Sequence, residues 1–199
     1  MKGWRLDRWL RLVRGTTTLV YVAALCPAVA LLVIAFIPGS PVTLELPTSL
    51  LPGSGGGEGI ASGVVMDPAG QVAVKLTDPS LAQRMLYLAT MLPGLLLVAE
   101  VARRMANVLR AAQDSDPFTA RTARELTLVA KITAFGGLGV WAVSNAARWT
   151  ITATVLKSGA AVQAHQSPLG WLAVALIFAA FAQLITRGVA MRAELDTVI

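Results

Sequence analysis

Cysteine, histidine and charge are what this chain has least of. One cysteine, Cys26, stands among 199 residues, and only 14% of the residues are charged, where soluble domains carry about a quarter. A single thiol forms no intrachain disulfide, and it excludes the thiol-relay oxidoreductases, which work through cysteine pairs. Leu25 precedes Cys26 where lipoprotein processing requires a small residue, so a lipid-anchored cysteine is not expected. The one histidine, His165, has no neighbouring cysteine, aspartate or glutamate to complete a metal site. There is no P-loop, no GxSxG and no HExxH. The glycine-rich run 53–59 lacks the strand and helix that phosphate binding requires. The expectation is a non-enzyme with no catalytic, cofactor-binding or metal-ligating residue.

What the chain has in abundance is hydrophobic sequence, 55% of the total, gathered into four runs. Residues 16–37, 81–102, 132–156 and 169–186 are each long enough to cross ~30 Å of hydrocarbon. The expected fold class is an all-α integral membrane protein, a single membrane domain over 1–199. Pro27 and Pro93 should bend the first two spans. Ala28-Val29-Ala30 is similar to a signal-peptidase site, but apolar sequence continues past it, so the first span reads as an uncleaved anchor.

The basic residues give the expected orientation. Lys2, Arg5, Arg8, Arg11 and Arg14 precede the first run. Arg103, Arg104, Arg110, Arg121, Arg124 and Lys131 lie between the second and third, and Arg187 and Arg192 follow the fourth. The other two connections hold only Lys75, Arg84, Arg148 and Lys157, offset by Glu45, Glu58, Asp67 and Asp78. Positive charge near span ends stays in the cytoplasm, so both termini and the loop 103–131 are expected there, in a bacterial inner membrane. Because these cations sit beside spans and are not interleaved with aromatics, direct nucleic-acid binding is not expected.

Several segments have characters of their own. Residues 1–15 read as an interfacial amphipathic helix, with Leu6, Trp9, Leu10 and Val13 on one face. In the extracytoplasmic segment 38–80, residues 42–46 and 72–76 alternate like strands, and Asp67-Pro68-Ala69-Gly70 has the residues of a hairpin turn between 64–66 and 72–76. A small sheet is expected there, resting on helix ends or on the membrane surface. In the loop 103–131 the second helix is expected to continue to about residue 112. A new helix is then capped at Asp116-Pro117, or starts later through Thr122 and Glu125. Residues 157–168 form a short outer loop, Ser167-Pro168 opens the fourth span, and 187–199 is a helical tail.

Polar residues inside spans are functional candidates by default. Glu100 has Arg103 and Arg104 one turn away, which favours a structural ion pair. Asn145 and Arg148 lie towards the outer end of the third span, and Gln183 towards the inner end of the fourth, where it is expected to bond a neighbouring helix. Gly139, Ala142 and Ala146 on the third span, with Ala175, Ala179, Ala182 and Thr186 on the fourth, make two small-residue faces. Such faces serve packing within a four-helix bundle and homo-oligomerisation equally.

Asp116-Pro117-Phe118-Thr119 resembles the proline-phenylalanine signature of a bacterial four-helix membrane family catalogued as domain of unknown function 2975. The tail Arg187-Gly188 and Met191-Arg192-Ala193-Glu194-Leu195-Asp196 is similar to that family's closing pattern. Where the family has asparagine a few residues after the phenylalanine, this chain has Arg121-Thr122. The resemblance implies no chemistry. It implies an association with small helix-turn-helix regulators, and hence a transcriptional regulator as cytoplasmic partner. The leading expectation is a membrane protein that presents Asp116, Pro117, Phe118, Arg121, Arg124, Arg187, Gly188, Arg192, Glu194 and Asp196 to that partner. The alternatives are a small transporter or ion-conducting oligomer using Glu100, Asn145 and Arg148, and a membrane immunity or stress protein.

Overall fold

The computed structural model describes residues 3–37, 40–47, 71–114, 119–155 and 167–196. Four helices carry the mass: α1 (Gly3–Phe36), α2 (Leu81–Asp114), α3 (Ala120–Val155) and α4 (Leu169–Asp196). Between α1 and α2 lie two strands, β1 (Val42–Pro47) and β2 (Gln71–Leu76). All four helices are long and apolar enough to cross a membrane. At 1.5 Å per residue they run from ~42 to ~54 Å, well beyond ~30 Å of hydrocarbon. Each therefore extends past its apolar run. Large apolar side chains point outward along them, Phe135 at 73% exposure and Leu176 at 70%. Water would not tolerate such surfaces, and lipid does. The chain is a multi-pass membrane protein.

Each helix packs on its neighbours in sequence, α1 on α2, α2 on α3 and α3 on α4, while α1 and α4 make no comparable contact. The expected four-helix bundle is thus an open row in which α2 and α3 are central and bury the larger share of their length. Antiparallel packing places the α1 N-terminus, the α2 C-terminus, the α3 N-terminus and the α4 C-terminus together at one end, the basic end. The strands mark the opposite, hairpin end.

The row is held together along a seam on α3. Thr122, Leu126, Val129, Thr133, Gly137, Val140, Ser144, Ala147 and Ile151 are all buried, and they recur at steps of three and four, one stripe of a 3.6-residue helix. Two glycines let the backbones approach. A β-carbon on Gly136 would meet Leu97 of α2 at 2.8 Å, and one on Gly137 would overlap Trp171 of α4. The small-residue face expected on the third span is not this seam. Gly139, Ala142 and Ala146 are exposed, and nothing lies within 4 Å of a β-carbon on Gly139. On the expected α4 face, by contrast, Ala175 and Ala182 are buried and Ala179 is half-buried, while Thr186 is exposed. With lipid as apolar as leucine, close approach and not hydrophobicity selects the packed face, and threonine and serine serve there as well as alanine.

Hydroxyls on α3 and α4 bond back to their own helices. Thr133 donates to Val129 O at 2.8 Å and Thr186 to Ala182 O at 2.9 Å, the back-bonding that lets hydroxyls sit in a span.

The sheet is antiparallel, with Val42 opposite Leu76 and Pro47 opposite Gln71. Alternation turns Val42 and Leu44 inward, where they pack with Ile151 of α3 and against Leu76, Leu86, Tyr87 and Val155. The sheet therefore rests on helix ends, and its strands 42–46 and 72–76 lie where the alternation puts them. The expected 64–66 strand and the turn at 67–70 lie outside the described residues.

Helix ends correct two expectations. The interfacial helix 1–15 is not a separate element: α1 runs unbroken from Gly3, and Thr16 donates back to Leu12 O at 3.0 Å across the expected joint. The cap of α3 is Thr119, whose Oγ1 accepts from Thr122 N–H at 3.2 Å. Thr122 is thus inside the first turn and not the cap, and Asp116-Pro117 lies outside the described residues. At the hairpin end, Ser80 and Gln83 form a reciprocal capping box, at 2.9 and 3.3 Å. Arg84 then ties two helices together, donating through Nη1 to Ala35 O at 3.2 Å and to Ile37 O, and through Nε to Pro79 O. A cation over the last carbonyls of α1 meets the negative end of its dipole. α4 opens as expected, with Ser167 Oγ accepting from Leu169 N–H at 3.2 Å.

Candidate functional site

Polar groups gather in three places, one within α2 and one at each end of the row. Within α2, Glu100 is fully engaged by its own helix. Arg103 donates to it twice at 2.8 Å, and Arg104 Nε once at 2.6 Å. This is the expected structural ion pair, made by i+3 and i+4 spacing, and it leaves the carboxylate with little to offer a passing ion.

Towards the hairpin end, α3 buries three polar atoms that find no partner among the described residues: Ser144 Oγ, Asn145 Oδ1 and Arg148 Nε. Asn145 spends its amide on Trp141 O at 2.8 Å. Gly94 of α2 lies beside Val140 of α3. Thr90 and Ser144 each stand four residues further towards the hairpin end, so the buried Thr90 is level with the cluster. Its hydroxyl is committed to Tyr87 O at 2.6 Å. Counted from the same touching pair, Glu100 and Asn145 are about 16 Å apart along the helix axes. The structure does not bring Glu100, Asn145 and Arg148 into one site. Gln183 is exposed on α4 and makes no hydrogen bond among the described residues, contrary to the expected interhelical bond. It faces outward because Ala182 takes the packed position beside it.

At the basic end, α2, α3 and α4 all continue past their apolar runs and enclose two grooves that flank α3. One, of about 240 Å³, lies between α2 and α3 and is lined by Asn107, Val108, Ala111, Thr119, Arg121, Thr122 and Glu125. The other, of about 420 Å³, lies between α3 and α4 and includes Arg124, Leu128, Lys131, Thr186 and Val189. Arg121 and Arg124, three residues apart, thus serve different grooves. In the tail, Arg187, Arg192 and Glu194 are exposed and Gly188 is half-buried. α4 stays helical to Asp196. Asp116, Pro117 and Phe118 lie outside the described residues. Among the described residues no group of three or more His, Cys, Asp or Glu converges as a metal site would.

Four apolar helices, a two-stranded sheet resting on their ends and a polar basic end define a multi-pass membrane protein. The family described as "Protein of unknown function (DUF2975)" matches residues 59–199. The chain belongs to that family. The match takes in β2, α2, α3 and α4 and leaves α1 and β1 outside it. No curated protein and no solved structure matches the chain.

Proposed function

We propose that the chain is a non-enzymatic protein of the bacterial inner membrane, with both termini in the cytoplasm, that presents its loop 103–131 and its tail 187–199 to a cytoplasmic protein. The observation that carries this reading is the groove between α2 and α3. Val108 and Ala111 give it an apolar wall, Asn107 and Thr119 supply hydrogen-bonding groups, and Arg121 and Glu125 supply charge of both signs. A partner segment with complementary charges would be held there in one register. The resemblance of the loop and tail to the family's signatures makes a small DNA-binding regulator the partner we favour. Full engagement of Glu100 by two arginines supports this reading over ion conduction.

The test is crosslinking in native membranes from a photoreactive residue at position 121, with identification of the captured protein. Capture of a DNA-binding regulator, lost when Arg121, Arg192 and Glu194 are charge-reversed, is the expected result. Capture of only membrane proteins, or of a regulator indifferent to those reversals, overturns it.

A further inference from the structure

The groove between α3 and α4 is cationic and apolar at once, and the chain fixes its depth. Lys131 directly precedes the apolar run 132–156, and Thr186 closes the run 169–186. The groove therefore opens where hydrocarbon gives way to headgroups. Arg124 and Lys131 are seven residues apart, two turns of α3, and so share a face about 10 Å apart along the axis. Both are exposed, and among the described residues neither forms a salt bridge and none that lines the groove is acidic. Leu128, 41% exposed, lies between them, and Val189 stands on the facing wall. The groove on the other side of α3 differs in the respect that matters, because Glu125 stands there beside Arg121.

We propose that the α3–α4 groove binds the headgroup of an anionic phospholipid, with its phosphate held by Arg124 and Lys131 and an acyl chain lying along Leu128 and the apolar surface below. Two cations without an acidic neighbour hold an anion. The long aliphatic stems of arginine and lysine let the charges reach the phosphate from the helix surface. Placed at the boundary of the bilayer, the groove is supplied with lipid at high local concentration, so a modest intrinsic affinity is enough for occupancy. This binding needs no protein partner and holds for either orientation of the chain in the bilayer. Its failure and the failure of the proposed regulator binding are therefore separate results.

Native mass spectrometry of the full chain in detergent, titrated with phosphatidylglycerol and with phosphatidylcholine, tests it. The parent should retain phosphatidylglycerol in preference to phosphatidylcholine. A cation near the surface contributes about fivefold to such binding, so Arg124→Gln and Lys131→Gln should each cost about that factor. Lys131→Arg should keep the preference, and so should Arg121→Gln on the other side of the helix. Circular dichroism of each variant confirms that the helices are intact. Equal retention of the two lipids by the parent overturns the proposal, and so does an undiminished preference when Arg124 and Lys131 are both replaced. An equal loss from Arg121→Gln also overturns it, since that would mark a general effect of charge.

Discussion

At the residue scale, the row of helices depends on where a side chain is missing. Gly137 admits the Trp171 ring to the α3 backbone, while Gly139, two residues on, faces open space. Gly137→Val should lower stability by about 1–3 kcal/mol, the usual cost of forcing volume into a packed site. Gly139→Val should be close to neutral. Thermal unfolding of the two variants in the same detergent checks the contrast, and equal losses would show that helix propensity and not the Trp171 contact is responsible. Glu100 shows the opposite case of legibility. Its partners lie at i+3 and i+4, so the local sequence alone was enough to pair it, whereas the Trp171 contact of Gly137 and the outward position of Gln183 depend on which face of α4 turns inward.

At the scale of elements, caps decide where the long helices begin. The pattern Ser80-Leu81-Ala82-Gln83 is a capping box in the sequence, overshadowed by the apolar run that follows it. Ser80→Ala should cost about 1 kcal/mol, and Ser80→Thr should restore most of it. Denaturation midpoints in mixed micelles measure both, and no difference between alanine and threonine at this position would remove the cap from the account. The helix start at Thr119 was harder to read, since Asp116-Pro117, Thr119 and Thr122 all carry capping chemistry within seven residues. Only the hydrogen bond from Thr122 N–H to Thr119 Oγ1 distinguishes them. The strands were legible from alternation, but their pairing joins residues far apart in the chain, which no local pattern reports.

At the scale of the whole molecule, charge asymmetry gives a definite orientation to test. With Cys26 replaced by serine, Glu58→Cys should react with a membrane-impermeant maleimide in intact cells, and Asp116→Cys only after the membrane is opened. The reverse pattern would invert the protein and remove the cytoplasmic partner. The open row adds a second feature of this scale: α1 is tied to α2 through Arg84 and by packing, while α4 packs chiefly on α3 among the described residues. The family match begins after β1, so the part of the row that the family defines is the part centred on α3.

By itself the sequence determined that the chain lies in a membrane, which four stretches are apolar enough to cross it and which residues alternate as strands, because lipid selects for long uncharged runs and a strand repeats every two residues. It also determined the Glu100 ion pair, whose geometry is set by one helix. Only the tertiary structure decided that the helices form an open row, that Gly136 and Gly137 rather than Gly139 are the points of close approach, and that Arg121 and Arg124 serve separate grooves. In a bilayer every face of a helix is apolar enough to be either packed or bare. The choice between them is made by the fit of small side chains against a particular neighbour, and that neighbour lies elsewhere in the chain.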